Sequence, residues 1–259
     1  MRWIKHILYI PAMVILGSSI LLHAFTLNNN ENKTKLMYPM ASSILKDAYR
    51  YTGSLKRFSF DAVTENEDVF KNKMIISYLH RTHVDLQRPG RLHVRIIGDV
   101  KNRSLYLSDG TYVLYDHDLN YYGVLKTPKS IDGTLDYLFE HFNIKTILAN
   151  LLYSDVEKRL APKEKGYYLG TSVIDGTVCH HLGFSNDKRE LQVWVERGVR
   201  PLIKKFTIID KSEKREPRST TTIRWNLHPD LKASDFLFKV PEGATQISMA
   251  PYRKKGGKK

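Results

Sequence analysis

A single cysteine, Cys179, stands in 259 residues. That scarcity excludes an internal disulfide, a CxxC redox pair and any zinc site built on several thiolates. Acidic residues are also short, with 27 Asp and Glu against 41 Lys and Arg and a net charge of +14. The chain has no G-x-S-x-G elbow, no H-E-x-x-H motif and no glycine-rich phosphate loop. The common routes to hydrolase, metalloprotease and nucleotide chemistry therefore have no foothold, and no motif calls for a cofactor. An RNP motif, a zinc finger and a recognition helix are missing too, so the basic charge is not read as nucleic-acid binding. At 42% hydrophobic and 26% charged residues, neither a disordered chain nor a polytopic membrane protein fits.

What is present begins with an address. Arg2 and Lys5 precede an apolar run from Ile7 to Leu22, interrupted by Pro11 and Gly17-Ser18-Ser19, and Asn28-Asn29-Asn30 follows. A basic start, an apolar stretch and a polar exit describe a secretory signal cut after Ala24. The alternative is a retained inner-membrane anchor, since the run approaches the roughly 20 residues of a spanning helix. No cysteine follows the run, so a lipoprotein anchor is excluded. The expected organisation is a signal peptide over 1–24, a linker over 25–37, one domain over 38–250 and a basic disordered tail over 251–259.

Within the domain, Ala41, Ile44, Leu45 and Ala48 share one face of a helix expected over 40–51. From Arg57 the hydrophobic period becomes two. Strands are expected over 57–64, 73–87, 91–98, 103–108, 111–116 and 121–126, punctuated by Arg88-Pro89-Gly90, Asp109-Gly110 and Asp118-Leu119-Asn120. A helical interval over 131–153 then carries a stripe of Leu135, Leu138, Phe139, Phe142, Ile144, Ile147, Leu148, Leu151 and Leu152, with a break expected near His141-Phe142-Asn143. Strand spacing resumes over 166–174, 177–185, 188–196, 199–210 and 217–227, with a last short strand near 236–240. The fold class is mainly β (α+β): one curved antiparallel sheet of about 11 strands, one face wet and the other covered by helices.

Several segments, taken in order, carry a resemblance. They are Arg88-Pro89-Gly90-Arg91-Leu92, Tyr106 to Gly110, Leu114-Tyr115-Asp116, Leu151-Leu152-Tyr153-Ser154-Asp155, Val173-Ile174-Asp175-Gly176, Cys179-His180-His181-Leu182, Val193-Trp194-Val195 and Arg200-Pro201-Leu202. This string resembles the predicted periplasmic family called domain of unknown function 2092, over about residues 38 to 247. That family looks related to the LolA and LolB lipoprotein carriers. The resemblance implies an incomplete antiparallel barrel capped by helices around an apolar cavity, and it does not imply carrier activity.

Reactive residues are few. Cys179 and His180 are strand neighbours and point to opposite faces, whereas Cys179 and His181 share a face. An inert buried thiol beside a packed imidazole is the reading adopted. His80 and His83 lie on opposite faces of one strand, and His83 and His93, with Asp85 nearby, fit a solvated face better than a metal site. Asp116-His117-Asp118 belongs to a turn.

The aromatic residues remain. If the helices leave the concave face unfilled, its wall would comprise Tyr78, Leu92, Val94, Tyr112, Leu135, Phe139, Phe142, Leu148, Trp194 and Trp225. The functional expectation is a non-catalytic, exported, monomeric protein that shelters a lipid or acylated ligand. An envelope scaffold whose basic surface meets an anionic envelope surface is the alternative, and an enzyme centred on Cys179, His181 or His83/His93 comes third. The basic start and apolar run generate the first testable outcome: a mature N-terminus at Phe25. Edman sequencing or mass spectrometry of envelope-purified protein that returns intact Met1 would contradict it.

Overall fold

The computed structural model describes residues 31–252 except 72, 145–147 and 161–165, and it leaves the side chains of 31–39 undescribed. The expected signal over 1–24, linker residues 25–30, Ile147 and tail residues 253–259 lie outside the described residues. Among the described residues no helix is long and apolar enough to cross a membrane.

A long helix α1 (Glu31–Ser54) comes first and starts well before the expected residue 40. Six strands follow: β1 (Arg57–Val69), β2 (Ile75–Gln87), β3 (Arg91–Gly98), β4 (Lys101–Ser108), β5 (Thr111–Asp116) and β6 (Tyr121–Lys126). Then come α2 (Ile131–Phe142), a 3-10 turn (Leu148–Leu152) and α3 (Val156–Leu160). The second half holds β7 (Gly166–Ile174), β8 (Thr177–Ser185), β9 (Arg189–Glu196), β10 (Ile203–Asp210) and β11 (Arg218–Asn226). A 3-10 turn (Ala233–Phe236) and a two-residue strand β12 (Thr245–Gln246) close the described chain.

All twelve strands form one sheet in the order β12-β6-β5-β4-β3-β2-β1-β11-β10-β9-β8-β7. Two hairpin meanders leave from and return to the centre, where β1 pairs with both β2 and β11. Every pairing is antiparallel except that of β12 with β6. The turns follow their chemistry: Asp109 and Gly110 have φ of 46° and 91°, and Asp175 and Gly176 have 45° and 74°. Two successive positive φ values define the type I′ hairpin turn that Asp-Gly favours.

The twelve strands agree with the expected single curved sheet of about 11. One expectation is corrected: residues 236–240 are not a strand. Instead Phe236 is fully buried, and Phe238 packs among Tyr106, Tyr115 and Tyr122, with ring centroids 5.2–5.5 Å away. Tyr106, Tyr115 and Tyr122 are on the convex face. That face is therefore partly covered by the C-terminal segment, where alternation suggested a wet surface.

The helical interval breaks where expected. Ser130 caps α2 by accepting from the Gly133 N–H at 3.1 Å, and Asn143 ends it in the left-handed conformation at φ 53°. Beyond Asn143 the chain turns back toward the β2–β3 turn, where Arg88 waits. The Arg88 side chain is 7% exposed. Its guanidinium donates to the carbonyls of Leu55 at 3.0 Å, Leu152 at 2.8 Å and Tyr153 at 3.1 Å. Asp132, in the first turn of α2, lies 3.6 Å away. Pro89 adds a carbonyl that accepts from Ile131 N–H at 2.7 Å. One turn thus fastens the exit of α1, the start of α2 and the end of the first 3-10 turn.

The remaining helix contacts tighten the same cap. Arg50 pairs with Glu157 at 2.8 and 3.0 Å, and Arg159 grips Asp136 at 2.8 and 3.0 Å while stacking 3.9 Å over the Tyr153 ring. We expect Arg88→Leu to cost about 3 kcal/mol or more, because it strands three buried carbonyls. Arg88→Lys should recover less than half of that, since an ammonium cannot match the planar fork. Urea denaturation reads both; a loss below about 1 kcal/mol for Arg88→Leu would refute the clip.

Candidate functional site

Strand register sets the concave face out as rows that cross the sheet. Nearest the Arg88 turn, Phe58, Leu86, Leu92, Leu107 and Tyr112 stand side by side, and all are buried. The next row holds Phe60, Val84, Val94 and Leu105. One step further come Ala62, Thr82 and Ile96. Then the chemistry changes: Thr221, Thr64, His80, Gly98 and Lys101 form one row. Thr64 and Thr221 share a hydrogen bond of 2.9 Å. Polarity therefore rises along the strands, from an aromatic and aliphatic end to a polar one.

A cavity of about 320 Å³ lies over the middle of this gradient. Its floor is Val84, Leu92, Val94, Ile96, Leu105 and Phe206, and its roof is Leu135, Leu138, Ile144, Leu148, Ala149 and Leu152. The stripe that predicted an apolar helical interval thus roofs a space as well as a core. Toward the β1–β2 and β3–β4 hairpin tips the cavity adjoins an open cleft of about 780 Å³. Asn66, His80, Lys101 and Ser219 line both. The volume is at the low end for small-molecule pockets, which span roughly 300–1,000 Å³.

Of the ten residues expected on the wall, Leu92, Val94, Leu135 and Leu148 line the cavity. Tyr78 lines the outer cleft instead. Tyr112 is 1% exposed and belongs to the packed row beside the Arg88 turn. Phe139 is 44% exposed, because helical periodicity turns it away from the neighbouring Leu138. Phe142 packs at the margin of the core. Trp225 is on the correct face but fills it, with its ring 4.9 and 5.3 Å from Phe60 and Phe58 and its Nε1–H donating to the Ile203 carbonyl. Trp194 is on the wrong face: its flanking residues Val193 and Val195 point inward, so it stacks outside on His181 at 4.2 Å. Thr64, His80, Thr82 and Lys101 were missed. Their cue is cross-strand register, which a single strand's pattern does not contain.

A sequence model for predicted periplasmic proteins (DUF2092) matches residues 41–250. The chain belongs to this family. Among solved structures, the DUF2092 chain is similar to LprF from Mycobacterium bovis, at 11% identity and TM-score 0.44, over 80% of this chain and 99% of that one. It is also similar to lipoprotein LppX from Mycobacterium tuberculosis, at 12% identity and TM-score 0.41, over 75% and 99%. A LolA superfamily protein from Nitrosomonas europaea is similar at 14% identity and TM-score 0.34, over 76% and 97%. Comparison with curated proteins returns no match.

The reactive-looking residues of this DUF2092 chain are occupied elsewhere. Cys179 is fully buried with its Sγ 3.5 Å from the Thr177 carbonyl, and burial pushes its thiol pKa up. His181 bonds Gln192 at 3.1 Å, and His180 bonds the Tyr168 hydroxyl at 3.1 Å. Among the described residues no group of three or more His, Cys, Asp or Glu is arranged to hold a metal.

His83 and His93 sit diagonally across neighbouring strands rather than opposite each other: Asp85 faces His93 and Arg95 faces His83. The result is a chain on the convex face. His83 donates through Nδ1 to Asp61 at 2.7 Å and through Nε2 to Asp85 at 3.1 Å, and His93 approaches Asp85 at 3.4 Å. The Asp85 hydrogen bond leads in raising His83 to about 9 against the cost of burial, with Asp61 adding to it. Burial pushes Asp85 up, but His83 and His93 overcome it and hold the carboxyl well below its usual range.

The sign follows. A folded pKa of about 9 above an ordinary 6.5 means that this contribution is complete below pH 6.5 and fades as pH rises through 9. His83 is 41% exposed and Asp61 71%, so water screens much of it. We expect His83→Gln to flatten the stability decline over that interval. Imidazole proton NMR should place His83 near 9, and titration near 6.5 would contradict the network.

Proposed function

We propose that this protein is a non-catalytic periplasmic binding protein that shelters an apolar chain, from a lipid or an acylated molecule, between the sheet and its helical cap. The observation that carries the reading is the cavity of about 320 Å³, floored and roofed mainly by aliphatic side chains and open to a larger polar cleft. A closed core of the same composition would be filled, because protein interiors pack to near-crystalline density. Binding strength comes from apolar area removed from water, at roughly 25 cal/mol per Å². With a liquid water occupying roughly 30 Å³ and a methylene of similar size, the space takes about ten methylenes. One chain fits, and two do not. The lining is aliphatic apart from Phe206, the threonines, Asn66, Ser219, His80 and Lys101, which supports binding of an apolar chain.

Two truncations separate cavity from core. Leu107 is fully buried and does not line the cavity, so Leu107→Ala should cost about 2–5 kcal/mol. Leu148 is half-buried over the space, and Leu148→Ala should cost less than about 2 kcal/mol while changing the uptake of the apolar fluorophore N-phenylnaphthylamine. Native mass spectrometry of protein from its own envelope should show a co-purifying lipid. Equal penalties for both variants, together with no fluorophore uptake by the wild type, would end this reading.

A further inference from the structure

We propose that the bound chain ends in an anionic group, a carboxylate or a phosphate, and that Lys101 holds this group at the junction of cavity and cleft with His80 beside it. The inference rests on the binding reading above and names the ligand's head. Lys101 is the first residue of β4, on the concave face, where the inner rows are apolar. It lines both the apolar cavity and the polar cleft. A lysine can do this because its aliphatic stem covers apolar surface while its ammonium reaches water.

Register explains why the ammonium and the imidazole face one space. His80 and Lys101 flank Gly98 in the same row, and Gly98 has no side chain to stand between them. A Cβ on Gly98 would collide with His80, so this position is kept bare by contact. The two groups sense each other: burial, then the Lys101 charge, lowers the His80 pKa. A neutral imidazole beside an ammonium still offers an N–H, so the pair presents one charge and two kinds of donor.

The cleft that Lys101 shares also carries four acids, Glu67, Asp68, Asp210 and Glu213. Glu67 accepts from the Arg218 N–H at 3.0 Å, Asp210 accepts from the Ser212 N–H at 3.0 Å, and Asp99 accepts from the Leu79 N–H at 2.8 Å. Among the described residues Lys101 has no hydrogen-bond or ion-pair partner. A ligand anion there would gain a charge-assisted contact beside low-dielectric walls, while its chain fills the apolar rows. An uncharged head would leave that contact unmade.

Displacement of N-phenylnaphthylamine from the delipidated mature chain tests this with two pairs of lipids. Decanoate is set against decanol, and decanoyl lysophosphatidate against monodecanoin, so each chain matches the cavity and each pair differs at its head group. In the wild type at least one anion should displace the probe at about tenfold lower concentration than its uncharged partner. Decanoate or lysophosphatidate leading identifies the carboxylate or the phosphate. Lys101→Gln should bring that ratio near one, and His80→Gln should lower it less. The ratio is read within one protein, so any general change in cavity affinity cancels. Equal displacement within both pairs, or a ratio that survives Lys101→Gln, overturns the head-group assignment while leaving the cavity standing. Failure of the wild type to take up the probe and all four lipids overturns the binding reading and this assignment together.

Discussion

The architecture depends on the Arg88 guanidinium, held where almost no water reaches it. A buried cation is costly unless its donors are matched, and here three backbone carbonyls and the nearby Asp132 match them. Those carbonyls belong to two separate places in the chain, the exit of α1 and the end of the first 3-10 turn. The carboxylate belongs to a third element, α2. Because a single planar group satisfies all of them, none can move without stranding a polar atom. The helical cap is therefore fixed at one end of the sheet. At the other end the roof carries no comparable clip among the described residues, and there the cavity opens to the cleft.

That asymmetry gives the polarity gradient its meaning. The aromatic and aliphatic rows lie next to the Arg88 turn, where the cap is tight and Tyr112 is closed off from solvent. The threonine, histidine and lysine row lies where the cap lifts away. Had the gradient run in the opposite direction, polar groups would sit under the clip without partners and the apolar rows would be open to water. Both carry a free-energy cost, and the observed direction avoids both.

Much of this was legible in the amino-acid string. Period-two alternation from Arg57, the Asp-Gly pairs and the apolar stripe after Ile131 predicted hairpins, turn positions and cap, because each is a local rule written in neighbouring residues. The failures share a different character. Trp194 looks like a pocket residue by type, yet its inward-facing neighbours place it outside. Phe139 looks like core by type, yet lies one position past the inward Leu138. Phe236 and Phe238 read as a strand because β-rich chains favour phenylalanine there, while tertiary packing buried Phe236 and drew Phe238 onto the convex tyrosines. His80 and Lys101 are 21 positions apart in sequence and meet only through two strand registers, which no single-strand pattern specifies.

The two faces of the sheet consequently divide their labour. On the convex side the acid–imidazole chain stacks through His93 on Tyr106, although His93 Nε2 is buried without a hydrogen-bond partner, and Tyr106, Tyr115 and Tyr122 hold Phe238 of the C-terminal segment down. On the concave side the aliphatic rows are only partly satisfied by the cap, and the ammonium of Lys101 finds no partner among the described residues. The concave face thus offers two complementary features to a ligand, apolar area and one exposed positive charge. A molecule with a chain and an anionic end supplies both at once, whereas a purely apolar or purely charged ligand supplies one and leaves the other exposed.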